Sequence, residues 1–173
     1  MKTPISFVVA VLVATAHAEN ASQKAEQCYQ QGVAAERQGD PAAALAAYKA
    51  AVELNPHHTN ARYRAGQVKT DPEAVKTAAM QTKVGSIMLP AYQIGDATVQ
   101  DAIALLGLAI EKQQKDGDAI INFIVEDPHR KLADIRINLN LKQVPVRAVL
   151  HYIHTQANLR IRYEEHAVVL TAR

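Results

Sequence analysis

Histidine is the side chain best suited to bind a metal or move a proton near neutral pH. Two of the seven histidines, His151 and His154, stand three residues apart. On a helix that spacing puts both rings on one side, where they could share a metal. A third ligand would have to come from His129, His166 or Glu165. No H-E-x-x-H run accompanies the pair, and both rings border an apolar stripe, so boundary or solvent-facing histidines are the expectation and no metal is expected. Cys28 is the only cysteine, which excludes an intrachain disulfide. It equally excludes, within one chain, any zinc site built on four cysteines or on two cysteines and two histidines. Its helical setting points to packing between helices. Glu126-Asp127 and Glu164-Glu165 fall at turns, where solvent accounts for paired carboxylates without acid–base work. Glycine is scarce, at seven residues, and no phosphate-cradling loop or G-x-S-x-G elbow occurs. These residues predict no catalytic group, no cofactor and no small-molecule substrate. A metal-dependent enzyme built on His151 and His154 is the rival reading from another class.

The elements that carry these residues begin with a leader. Residues 1–18 read MKTPISFVVAVLVATAHA, with Lys2 before a short apolar run and Ala16-His17-Ala18 as an A-x-A cleavage pattern. That is the plan of a secretory signal peptide. The apolar run falls short of the about 20 residues a membrane span needs, so no retained transmembrane anchor is expected and the mature protein should be periplasmic. The formal net charge is +2 over 173 residues. Basic side chains such as Arg136, Arg147, Arg160 and Arg162 are mixed with acids and lack interleaved aromatics, which argues against nucleic acid as a partner.

From Lys24 to Pro56 the chain is nearly all good helix formers, broken at Gly39-Asp40-Pro41. Gly39 suits a helix end, Asp40 an N-cap and Pro41 a first helical turn. Two antiparallel helices follow, over 23–38 and 41–54. Gly32, Ala35, Gly39, Ala44, Tyr48, Ala51 and Pro56 stand at the spacing of the 34-residue tetratricopeptide repeat, which this stretch resembles. Thirty-four residues on, Gly66, Ala78 and Pro90 repeat Gly32, Ala44 and Pro56, and Asp71-Pro72 repeats Asp40-Pro41. A decayed second unit is expected, with helices over 59–69 and 72–84. The resemblance implies a concave protein-binding face, with Gln27, Gln31 and Gln38 as inward-facing polar residues of the first helix. His57-His58 reads as a surface turn.

After Ser86 the texture changes to strands and single helices. Thr98 with Asp101 forms a capping box, and apolar residues at 99, 102, 103, 106 and 110 give a buried helical stripe. A strand over 119–125 follows. Residues 134–141 alternate apolar and polar, a strand with one wet face. A helix over 144–155 and a hairpin of 160–163 with 167–171 complete the chain. Ile94, Ala97, Val99, Ala102, Ile103 and Leu106 fall on Leu141, Val144, Val146, Val149, Leu150 and Ile153 at a constant spacing of 47. The unit is read as duplicated: a small α+β domain with two helices against one face of a mixed or antiparallel sheet.

The run IRINLNLKQVPVRAVLHYIHTQANLRIRYEEHAVVLTAR resembles the short N-terminal domain of secretins and TonB-dependent receptors. The resemblance is carried by the step Lys142-Gln143-Val144-Pro145, by Ala148-Val149-Leu150 in the helix, and by the closing strand Val168-Val169-Leu170. It implies a non-catalytic ring-forming or docking module near outer-membrane machinery, without the secretin pore. The expected organisation is a leader over 1–18, a helical-repeat region over 19–85 and the α+β domain over 86–173. The expected function is an exported, non-enzymatic adaptor or scaffold, with an outer-membrane secretion or secretin-like assembly as its setting. A protein partner in the cell envelope is expected, with self-association as a further option. A stand-alone periplasmic signalling or scaffold domain is the alternative. Strand addition is expected at a free edge of the terminal strand, through Ala167, Val168, Val169, Leu170 and Thr171.

Overall fold

A computed structural model describes residues 6–114 and 120–173, with the backbone alone for residues 6–19. The expected leader therefore lies partly outside the described residues, as does Ala119 of the expected strand. Among the described residues, no helix is long and apolar enough to cross a membrane. The chain divides into two compact units, Met1–Lys76 and Thr77–Arg173. The sequence put that division at 85/86.

Four helices come first: α1 (Ser6–Gln38), α2 (Pro41–Leu54), α3 (Thr59–Thr70) and α4 (Pro72–Ser86). Gly39 takes the left-handed conformation, φ 77°, that lets the chain reverse after α1. The Asp40 carboxylate then accepts the Ala43 amide N–H at 2.9 Å and caps α2, with Pro41 at its start. Small residues set how closely the helices approach. A Cβ on Gly32 would lie 2.4 Å from Cε1 of Tyr48, so only glycine lets the Tyr48 ring lie flat on α1. Ala35, Ala44, Ala51, Ala61 and Val68 close the core around that ring, with Cys28 half-buried at its border.

The expected second repeat keeps its first helix, α3, in this unit. Of α4, Val75 borders the first core, whereas Met80 and Val84 pack into the core of the second unit. The hydrophobic pattern of residues 72–86 serves two cores in turn, which is why no boundary was visible within it.

The second unit runs β1 (Met88–Thr98), α5 (Val99–Glu111), β2 (Asn122–Glu126), β3 (Arg136–Pro145), α6 (Val146–Ala157), β4 (Leu159–Tyr163) and β5 (Ala167–Ala172). The single expected sheet is corrected to two: an antiparallel ribbon of β1 and β3, and a three-stranded sheet in the order β2-β5-β4. The duplication explains the split. α5 and α6 begin at Val99 and Val146, and their buried positions 99, 102, 103, 106 and 110 recur at 146, 149, 150, 153 and 157. In the ribbon Gln93 lies opposite Asn140, also 47 residues away, so a local two-fold axis passes through that pair. β2 runs parallel to β5 and β4 antiparallel to it, so β2 and β4 run in opposite directions on either side of β5, as two-fold mates must. β5 has no mate and fills the axis. One apolar core holds both helices and both sheets.

In each half of this unit a side-chain contact ties the ribbon strand to its own helix. The Tyr92 hydroxyl of β1 donates to the Ala102 carbonyl of α5. The register of the ribbon shifts between Ile94 and Ala97, and Asn138, opposite that shift, exchanges two hydrogen bonds of 3.2 Å with the Gln156 side-chain amide.

Candidate functional site

The residues foreseen for recognition on α1 share one face but the opposite one from that expected. At about 100° per residue, Gln27, Gln31 and Gln38 fall within roughly 40° of each other and roughly 100–140° round α1 from Gly32. All three are exposed. They face away from α2, because the small residues that admit Tyr48 claim the inner side.

The inner side carries a different polar set, held between α1, α2 and α3. The Tyr48 hydroxyl donates to Glu36 Oε1 at 2.9 Å, and Arg64 of α3 meets Glu36 Oε2 at 2.5 Å. Burial, reinforced by the Glu36 carboxylate, pushes the Tyr48 hydroxyl far above the ordinary tyrosine range. Burial works against the charge of Arg64, but the Glu36 carboxylate more than offsets it, and its pKa is raised.

His58 corrects the surface-turn reading. Its Nδ1 accepts the Ala61 amide N–H at 3.2 Å and caps α3, so Nε2 carries the proton that reaches Glu26 Oε2 at 3.2 Å. The Gln30 amide, together with His58, holds the Glu26 carboxyl below its ordinary range. Tyr29 lies between the two pairs, its ring centroid 5.7 Å from Tyr48 and 5.0 Å from His58. The only sequence signal for His58 is its place just before Thr59, where a capping side chain belongs; Thr59 itself is the commoner cap type.

This cluster is satisfied internally. It fixes three helices and leaves its chemistry spent on structure. What it presents outward is Tyr63, 64% exposed on α3, where it stands 34 residues after Tyr29. Gln67, one turn on, donates to the Tyr63 hydroxyl at 2.8 Å and steadies the ring. An exposed aromatic side chain held by a neighbour at low entropic cost is the kind of group that anchors a protein partner.

In the second unit the terminal strand is not an edge. β5 is paired on both sides, and Ala167, Val168, Val169 and Leu170 are buried, with Thr171 half-buried. Its consecutive apolar residues suit a strand covered on both faces, a signal that also fits the middle of a sheet. Strand addition at residues 167–171 is thereby corrected: no main-chain group there faces outward.

His151 and His154 lie with ring centroids 6.2 Å apart on α6. His154 Nδ1 is taken by the Leu159 carbonyl at 2.5 Å, where α6 ends and β4 begins, and His151 is exposed. His129 is exposed, and His166 sits 3.7 Å from Glu165 at the β4–β5 turn. Among the described residues, no group of three His, Cys, Asp or Glu converges on one point.

No curated protein and no solved structure matches the chain. The tetratricopeptide repeat family model matches residues 25–58, the stretch that holds Gly32, Tyr48 and His58.

Proposed function

We propose that this protein is an exported, non-enzymatic adaptor of the cell envelope that takes a protein partner on its helical-repeat unit. The observation that carries this reading is the repeat match at residues 25–58, a module class built for protein–protein contact. Its skeleton is the one that matters for such a role: Gly32 and the alanines of α2 close on Tyr48, and α3 follows in the position of a next repeat. The recognition surface is then the face of α1 and α3 carrying Tyr29 and Tyr63, with Gln67 beside it.

The second unit would be the docking part of the adaptor, resembling the short N-terminal domain of secretins and TonB-dependent receptors. Its duplicated strand–helix plan supports that reading, as does the step at 142–145, which leads from the ribbon into α6. Export rests on the pattern of residues 1–18.

Photo-crosslinking in whole cells tests the proposal. A photoreactive residue replacing Tyr63 should trap one predominant envelope protein, and the same residue replacing Gln27 should trap none. Deleting residues 19–76, which leaves Met80 and Val84 in place for the second core, should abolish capture of that protein. Equal trapping from both positions, or capture that survives the deletion, would overturn it.

A further inference from the structure

The edges of the two sheets are not equally protected. β4 carries the exposed Arg160 and Arg162, while the ribbon strands carry Pro90, Pro145 and a register shift. Charges, prolines and irregularities at an edge discourage a further strand from adding. β2 has neither a proline nor an irregularity, and its single charge, Glu126, stands at its end. It reads Asn122-Phe123-Ile124-Val125-Glu126, pairs in unbroken register with β5, and has no strand on its other side among the described residues. Next to it, α5 and β2 bound a cleft of about 490 Å³ lined by Ile103, Ala104, Gly107, Ile121 and Phe123. Phe123 and Val125 of β2 face this cleft, so Ile124 between them lies on the other face of the sheet. Of the six large apolar side chains exposed among the described residues of the second unit, four belong to α5 or to β2 and its approach: Leu105, Leu108, Ile120 at 76% and Ile124 at 46%.

We propose that β2 pairs with β2 of a second copy of this chain, antiparallel about a two-fold axis through Ile124, so that two three-stranded sheets join into one of six. The segment is matched to itself. Centred on Ile124, the pairing sets Asn122 opposite Glu126 of the second copy at both ends, and Phe123 opposite Val125. Each carboxylate meets an amide donor, and the two glutamates never face each other. Ile124 lies against its own counterpart, which covers an exposed apolar side chain by an identical one, as an isologous interface requires. Shifting the register by one residue would place Glu126 opposite Phe123, so charge and apolar pairing select the same alignment. The formal net charge of +2 leaves little long-range repulsion between copies. Ala104 and Gly107 keep the α5 side of the cleft open beside the joined strands.

Sedimentation equilibrium of the protein as purified from the envelope should show its mass doubling with concentration. Ile124→Lys sets two like charges against each other on the axis and should hold the protein at monomer mass. Since Ile124 is half-exposed, that variant should keep the wild-type circular dichroism and should melt like the wild type at concentrations where the wild type is itself monomeric. A second measurement does not depend on the lysine. Directly opposed residues have Cβ atoms about 4.5–5.5 Å apart, near disulfide reach. In a Cys28→Ser background, Ile124→Cys should therefore oxidise to a covalent dimer, while Arg162→Cys on the β4 edge should not. A monomer at every concentration, a dimer indifferent to Ile124→Lys, or cross-linking as ready from position 162 as from 124 would each overturn the proposal. So would a monomeric chain whose β2 captures a strand from a different protein. Loss of capture at Tyr63 leaves these outcomes unchanged, because the two units are probed by separate variants.

Discussion

Tyr48 and Tyr92 each place a hydroxyl in a core and give it one acceptor, Glu36 in the first unit and the Ala102 carbonyl in the second. Both are pushed well above the ordinary tyrosine range, Tyr48 by burial and Glu36 and Tyr92 by burial. A raised pKa means that the folded state holds the proton more tightly than the unfolded one. The stability it represents is complete below the unfolded value near 10 and declines as pH rises above it. The urea midpoint should therefore fall between about pH 9 and pH 11, and the double variant Tyr48→Phe/Tyr92→Phe should show a shallower fall. At neutral pH each single change should cost about 1 kcal/mol, the net worth of one hydrogen bond. Equal alkaline slopes in wild type and double variant would show that these hydroxyls ionise as freely folded as unfolded.

At the scale of elements, α1 and α2 are joined by a fit between absence and bulk. Gly32 has no side chain because the Tyr48 ring occupies its place, and Tyr48 is completely buried. Gly32→Ala should destabilise by about 1–3 kcal/mol through overpacking, although alanine is the better helix former. At Gly66, the equivalent site on α3, a Cβ meets nothing within 4 Å. Gly66→Ala should be neutral or stabilising by up to about 1 kcal/mol. Chemical denaturation of the two variants checks the pair, and a loss at Gly66 matching that at Gly32 would contradict the packing described. The same sequence signal, glycine at 34-residue spacing, thus marks a close approach in one helix and an open surface in the other. Spacing alone cannot tell them apart, because what decides is the residue across the gap: Tyr48 for Gly32, and none for Gly66.

For the whole molecule, the useful boundary is Lys76/Thr77 and not the end of α4. Val84 is fully buried in the second core, with Met80 packed against it. A fragment of residues 77–173 should therefore unfold at a higher urea midpoint than one of residues 87–173. The expected gap is about 1.5–3 kcal/mol, the burial of one large aliphatic side chain. Equal midpoints would return the boundary to the end of the helix. Much was legible without coordinates: the helix breaks at Gly39 and Asp71, the capping box at Thr98, and the 47-residue duplication, whose buried positions recur one for one in α5 and α6. These are local signals, written as periodicity and as caps, and chain chemistry within a few turns determines them. What only the tertiary structure decided was direction and neighbour. The three glutamines of α1 make one stripe in the sequence but face outward, since the groove side goes to the residues that fit Tyr48. β5, last in the chain, lies at the centre of its sheet, because the two-fold arrangement of β2 and β4 leaves its vacant axis to be filled by whichever strand has no mate. Chain order carries no information about that position, since strand pairing satisfies backbone groups across space and not along the sequence.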